Sequence, residues 1–139
     1  MSTAKVYTVM IGSLSGTMEE VFTAKEVVRK YNQDNADSSG KLFLPVEWSM
    51  KPEDFQKVDV VIGIVGNWID KTDFIEERIK AKKQVLLFFN AFQDPKNTNQ
   101  SEHDEVKAFR ERMQTLCYCS DYVGGLELSR LLNKRFIAE

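Results

Sequence analysis

Residues 6–20 read VYTVMIGSLSGTMEE, and this stretch decides the fold. An apolar run stops at Gly12, a loop of small residues follows, and a helical pattern begins at Thr17. A strand, loop and helix in this order are typical of the first unit of an open parallel α/β sheet, where ligands bind in the crevice beyond the strands. The N-terminus of the helix also presents free N–H groups and a partial positive charge, which suit an anion such as phosphate.

The bulk properties predict one soluble domain spanning residues 1–139. A net charge of −2 gives no electrostatic reason to expect nucleic acid or an acidic membrane as a partner. The apolar runs at 58–65 and 85–89 are far shorter than the ~20 residues of a membrane helix, and the N-terminus shows no secretion signal. Cys117 and Cys119 are interpreted as reduced thiols, so we expect a cytoplasmic protein.

Strand and helix patterns alternate along the whole chain. Apolar runs and period-two alternation predict strands at residues 5–11, 41–46, 58–66, 84–89 and 116–119. Periods near 3.6 predict helices at residues 18–33, 73–82 and 101–113 and from about 124 onward, with a short helix from Pro52 and a polar turn at 34–40. Pro45 places the second strand at an edge or marks its end. With right-handed crossovers these units form a doubly wound five-stranded parallel α/β sheet, of order 2-1-3-4-5.

The predicted site lies at the carboxyl ends of the central strands, which carry the loops 12–17 and 67–72. Hydroxyls and backbone N–H groups of the first loop are suited to holding a phosphate. The residues concerned are Gly12, Ser13, Ser15, Gly16 and Thr17. Residues of the same types are also chosen for a capped helix start with a tight turn, so this alternative stays open.

Polar and aromatic residues after the third and fourth strands complete the candidate ligand site. Asn67, Trp68 and Asp70 follow the third strand, and Asn90 follows the fourth. Trp68 could stack on a flat ring or cover the edge of the sheet. Asp70 could accept a hydrogen bond from a ribose hydroxyl or sit in a turn.

A series of short motifs along most of the chain resembles one known family. The chain carries IGS at residues 11–13, VD at 58–59, paired glutamates at 76–77, QVLLFF at 84–89 and KAFRER at 107–112. In this it resembles the TIR-like domain of unknown function found at the N-terminus of many STAND-type signalling NTPases. The resemblance implies a flavodoxin-like fold, a nucleotide or NAD as ligand, and a signalling or defence role that involves self-association or a partner signalling protein.

The same resemblance implies a glutamate near the helix after the third strand, at Glu76 or Glu77. Such a carboxylate could stabilise a ribosyl oxocarbenium ion or act as the nucleophile in N-glycosidic cleavage. The alternative is structural, because acids in the first turn of a helix complement its dipole and the run EERIKAKK suits a solvated face. Whether the chain is an enzyme is left open by its sequence.

A second resemblance is local. The loop GSLSGT at residues 12–17 is similar to the FMN phosphate loop of flavodoxins, and the chain length suits a flavodoxin. It implies FMN as the cofactor, with residues 66–68 and 90–94 in the two loops that enclose the flavin ring. The alternative functions are therefore an FMN-binding electron carrier and a non-enzymatic protein-interaction module.

Other functional classes have no matching motif. The sequence contains no H-E-x-x-H, no Walker A lysine and no G-x-G-x-x-G, which argues against metalloproteases, P-loop NTPases and dinucleotide Rossmann domains. His103 is the only histidine and is interpreted as a surface residue. Cys117 and Cys119, without further cysteine or histidine partners, make a poor zinc site, so no metal site is expected. Cys117 and Cys119 should share one face of the fifth strand and pack in the core, with Tyr118 on the other face.

Overall fold

A computed structural model describes residues 5–13, 18–46, 57–66, 73–81, 84–90 and 100–138 of the chain. The strands are β1 (Lys5–Ser13), β2 (Lys41–Val46), β3 (Val60–Val65), β4 (Gln84–Asn90) and β5 (Tyr118–Tyr122). The helices are α1 (Met18–Ser39), α2 (Asp73–Lys80), α3 (Gln100–Met113) and α4 (Gly124–Ala138). None of these helices has the length and apolar character needed to cross a membrane.

The strands form a five-stranded parallel sheet in the order β2-β1-β3-β4-β5, which confirms the predicted topology. β1 and β3 lie inside the sheet, with Val9 opposite Val60. β3 is apolar at every position except Gly63 and is fully buried, as expected for a strand covered on both faces. Pro45 lies on the edge strand β2, where a missing N–H donor is tolerated.

Helices cover both faces of the sheet. α1 and α4 pack on one face, through the buried side chains Val21, Ala24, Val28, Tyr31, Leu128 and Leu132. α2 and α3 pack on the other, through Ile75, Val106, Phe109 and Met113. Because side chains alternate along a strand, β1 contributes Val9 and Ile11 to the first layer and Met10 to the second. The sheet therefore lies between two layers of helices, as in other doubly wound α/β folds.

The first helix is longer than predicted. The polar segment 34–40 was expected to form a turn, and that prediction is wrong, because α1 continues to Ser39. Two hydrogen bonds join the C-terminal part of α1 to β2. The side-chain N–H of Asn32 donates to the Phe43 carbonyl at 2.7 Å, and the side-chain oxygen of Asn32 accepts from the Phe43 N–H at 2.9 Å. Gly40, at φ +70°, then ends the helix in the left-handed conformation.

The fifth strand also differs from its predicted span of 116–119. The backbone N–H groups of Leu116 and Cys117 both donate to the Met113 carbonyl, at 2.9 and 3.0 Å, and so belong to the turn that ends α3. The strand begins at Tyr118 and runs on to Tyr122. The short helix predicted from Pro52 falls on residues that the structure does not describe.

Candidate functional site

The carboxyl ends of the parallel strands meet at one edge of the sheet, the carboxyl edge. β1 ends there at Ser13, β4 at Asn90 and β5 at Tyr122, and Gly66 follows the end of β3. The register places Asn90 directly opposite Tyr122, so both side chains point to the face covered by α1 and α4. In this fold the carboxyl edge is where ligands bind.

The predicted phosphate loop leaves β1 at this edge. Gly12 is buried within β1 and pairs with Gly63 of β3, while Ser13 is the last residue of the strand. Ser15, Gly16 and Thr17 fall in a segment that the structure leaves undescribed. The loop is nevertheless bounded on both sides, because β1 ends at its start and α1 begins directly after it.

The pairing of Gly12 with Gly63 was not anticipated from the sequence. Both residues belong to the sheet face that also carries Met10 and Val61, which α2 and α3 cover. Two adjacent glycines leave this part of the face without side chains, so another group can approach the backbone closely. The only sequence signal for it was an isolated glycine inside an otherwise apolar strand.

Tyr122, like Gly63, lies at the candidate site but was not predicted from the sequence. Its side chain is 1% exposed, and its hydroxyl has no hydrogen-bond partner in the part of the chain that the structure describes. Burial raises the pKa of this hydroxyl, and the carboxylate of Glu20 in the first turn of α1 raises that pKa further. A buried polar group without a partner at a ligand-binding edge is a candidate for ligand contact.

Of the predicted ligand-site residues that follow β3 and β4, the structure describes only the one after β4. Asn90 is at the edge, half-buried, and makes a polar or electrostatic contact of its own. Asn67, Trp68 and Asp70 lie between Gly66 and α2, outside the described residues. Their assignment to the ligand site therefore stays a prediction based on topology.

The candidate catalytic glutamates lie on α2. The Glu76 carboxylate forms an ion pair with the Arg112 guanidinium at 2.9 Å, and Glu77 is exposed. Arg112 is in the last turn of α3, close to the start of β5 and hence towards the opposite, amino edge of the sheet. Among the described residues the structure thus joins Glu76 to α3 and not to Gly12, Asn90 or Tyr122.

The cysteines occupy the positions expected of them. Cys117 and Cys119 are free thiols that pack against the layer of α2 and α3, and Tyr118 packs against the other layer. Three or more histidine, cysteine, aspartate or glutamate side chains suited to a metal ion do not come together anywhere in the described ranges.

Comparison with solved structures finds similar folds at low sequence identity. Oxidised flavodoxin 1 from Bacillus cereus superposes with a TM-score of 0.53 and 14% identity, over 97% of this chain and 99% of that one. A short-chain flavodoxin associated with a non-canonical PDU bacterial microcompartment superposes with a TM-score of 0.57 and 10% identity, over 96% and 97% of the two chains.

A third structure, homoserine dehydrogenase from S. aureus, reaches a TM-score of 0.53 at 10% identity over 85% of this chain, which spans only 32% of that enzyme. No protein-family model matches the sequence, and no curated protein matches it. These likenesses, together with the strand order, show that the chain has the flavodoxin-like α/β fold.

Proposed function

We propose that this chain binds FMN at the carboxyl edge of its sheet and acts as a flavodoxin-like electron carrier. The observation that carries the proposal is the end-to-end likeness to two flavodoxins of similar length, one covered to 99% and the other to 97%. The second support is the position of the sequence GSLSGT, which connects the central strand β1 to the N-terminus of α1.

The residues present at this edge fit a phosphorylated ligand. Residues 12–17 contribute glycines and hydroxyl side chains and contain no carboxylate, so their N–H and O–H groups are available as donors to a phosphate. The orphaned Tyr122 hydroxyl adds a donor at the same edge. Glu19 and Glu20 follow in the first turn of α1, and their negative charges repel a bound phosphate. The backbone N–H groups of the loop must therefore provide most of the stabilisation of that phosphate.

The flavin, when bound, supplies one- or two-electron transfer, and the chain supplies binding and orientation. In this proposal the loop 12–17 anchors the phosphate, and Trp68 stacks against the flat ring. The proposal also assigns the amide of Asn90, at the end of β4, a hydrogen bond to a polar edge of that ring. The apolar side chains that pack between the sheet and the helices α1 and α4 exclude water from this side of the site.

The TIR-like alternative shares the phosphate anchor but needs a carboxylate near the ribose. Glu76 is paired with Arg112, and Glu77 faces solvent, so neither of them favours that function. A nucleotide or NAD in place of FMN is therefore a competing outcome of the ligand test rather than a second proposal.

The test is an absorption spectrum of the purified protein, recorded before and after addition of FMN and gel filtration. We expect flavin bands that elute with the protein at one flavin per chain. Thr17→Ala should weaken retention of FMN by about tenfold through loss of one hydroxyl donor. The matched control is Thr115→Ala, at an exposed threonine in the turn after α3.

A colourless protein from which added FMN separates completely on the column would overturn the proposal. If the same protein then released nicotinamide from NAD, and Glu76→Gln or Glu77→Gln abolished that release, the TIR-like function would replace it.

A further inference from the structure

The outer side of β2 is a place where a further strand can join the sheet. In the described part of the chain, β2 has a neighbouring strand on one side only, namely β1. The backbone N–H and carbonyl groups on the other side of such a strand are a template for pairing with another chain. An edge of this kind promotes association between copies of a protein unless it is covered or interrupted.

The hydrogen-bond pattern identifies the residues of β2 that point outward. The Lys5 N–H donates to the Gly40 carbonyl at 2.7 Å, and Lys5 lies opposite Lys41. In a parallel pair, a residue bonds to the positions just before and just after the one opposite to it, so alternate residues of β2 direct their backbone groups to β1. Phe43, two positions after Lys41, belongs to the other set. Its N–H and carbonyl groups therefore point away from β1.

Asn32 of α1 occupies both of these outward groups. Its side-chain N–H donates to the Phe43 carbonyl at 2.7 Å, and its side-chain oxygen accepts from the Phe43 N–H at 2.9 Å. A primary amide carries a donor and an acceptor side by side, so it makes the same two bonds as a residue of an added antiparallel strand. Two positions further on, Pro45 has no N–H to offer. The edge is thus closed at the centre of β2 and lacks a donor near its end.

Without the Asn32 amide, this edge is complementary to itself. Two copies of β2 can pair antiparallel about a two-fold axis, with each Phe43 N–H donating to the Phe43 carbonyl of the other copy. The same register places Leu44 opposite Leu42 of the second copy, on the other face of the strand. Leu44 is an apolar side chain with 49% of its surface exposed, and this contact would bury it. A second copy of this chain is therefore the partner that fits the uncovered edge.

We propose that Asn32 guards the edge of β2: by taking both outward backbone groups of Phe43, its amide prevents two copies of the chain from pairing through β2. This role is separate from the attachment of α1 to the sheet, because a purely structural contact would affect stability and leave the oligomeric state unchanged. It is also independent of FMN, since it concerns the outer side of β2 and not the carboxyl ends of the strands.

The experiment compares variants of the full chain by sedimentation equilibrium at rising protein concentration. We expect the parent to stay a monomer and Asn32→Ala to approach twice the monomer mass. Asn32→Asp is the matched variant, because its carboxylate still accepts from the Phe43 N–H and its charge opposes strand pairing. It should lose stability and stay a monomer. Gln33→Ala, at the exposed neighbouring position of α1, should behave like the parent.

A second substitution locates the contact between the copies. Leu44→Lys, added to Asn32→Ala, should restore the monomer, because a charge then stands where the apolar contact forms. Amide hydrogen exchange of the unmodified chain keeps the inference testable if Asn32→Ala does not fold. The Phe43 N–H should be protected in the monomer, although it lies on the outer side of an edge strand.

Four results would each overturn the inference. The first is a Phe43 N–H that exchanges in the parent monomer as fast as in an unfolded chain, since the edge would then be open without causing association. The second is a folded Asn32→Ala variant that stays a monomer. The third is an Asn32→Asp variant that dimerises as strongly as Asn32→Ala, because lost stability would then explain the association. The fourth is a double variant that still dimerises.

Discussion

Thr8 in β1 and Asp59, just before β3, are joined by hydrogen bonds in which each residue donates to the other. The Thr8 N–H and hydroxyl donate to Asp59 Oδ2 at 2.7 and 3.2 Å, and the Asp59 N–H lies 3.0 Å from the Thr8 carbonyl and 3.1 Å from its hydroxyl. The Asp59 carboxylate also favours the charged form of Arg78, a fully buried guanidinium whose pKa is lowered by that burial. One carboxylate thus aligns the neighbouring strands β1 and β3 and compensates a buried charge.

Asp59→Ala should therefore lower the free energy of unfolding by about 2 kcal/mol, since it leaves the Thr8 N–H unpaired and removes a counter-charge of Arg78. Asp59→Asn should cost less, because its amide oxygen can still accept from Thr8 but carries no charge. Urea denaturation measures both variants. An alanine variant as stable as the parent would contradict this role for Asp59.

Gly40 should be needed for its backbone conformation and not for its small size. Its φ is +70°, and an added Cβ would meet no atom within 4 Å. Gly40→Ala should thus cost about 1 kcal/mol of stability through left-handed backbone strain alone. Gly40→Asn, a residue that tolerates this conformation, should cost clearly less. Equal losses of thermal stability in the two variants would point to another cause.

The strand order and the inner strands β3 and β4 were predictable because they depend on strong, local patterns. β3 and β4 are continuous apolar runs, and the alternation of strands with helices leaves few topologies. The end of α1 was not predictable, because residues 34–39 have low helix propensity. Their helical state follows instead from contacts of α1 with β2, such as those of Asn32 with Phe43.

For the candidate site, the sequence predicted the location in the fold but not the residues that surround it. Topology put Gly12 and Asn90 at one edge, as the structure confirms by their positions in β1 and β4. The neighbours Gly63 and Tyr122 depend on strand register, which the sequence of one strand does not contain. The ion pair between Glu76 and Arg112 joins two separate helices and could not be read from either of them.

Tyr122 should make the fold sensitive to alkali. Its pKa is raised in the folded state, so the native protein holds this proton more tightly than the unfolded chain does. The associated stability is fully present below the unfolded pKa of about 10 and is lost as the pH rises through the higher folded value. Tyr122→Phe should show a smaller fall in melting temperature between about pH 9 and 11 than the parent. Parallel curves for the two proteins would contradict the assignment.

At neutral pH the same substitution should separate stability from ligand binding. The Tyr122 hydroxyl is buried without a partner in the described structure, so its removal should leave the ligand-free chain equally stable or more stable by about 1 kcal/mol. If that hydroxyl donates to the ligand at the carboxyl edge, Tyr122→Phe should weaken FMN binding by about fivefold to tenfold. Urea denaturation and flavin titration measure the two effects. A less stable ligand-free variant would mean that the hydroxyl is hydrogen-bonded within the free protein, and the case for its contact with the ligand would fail.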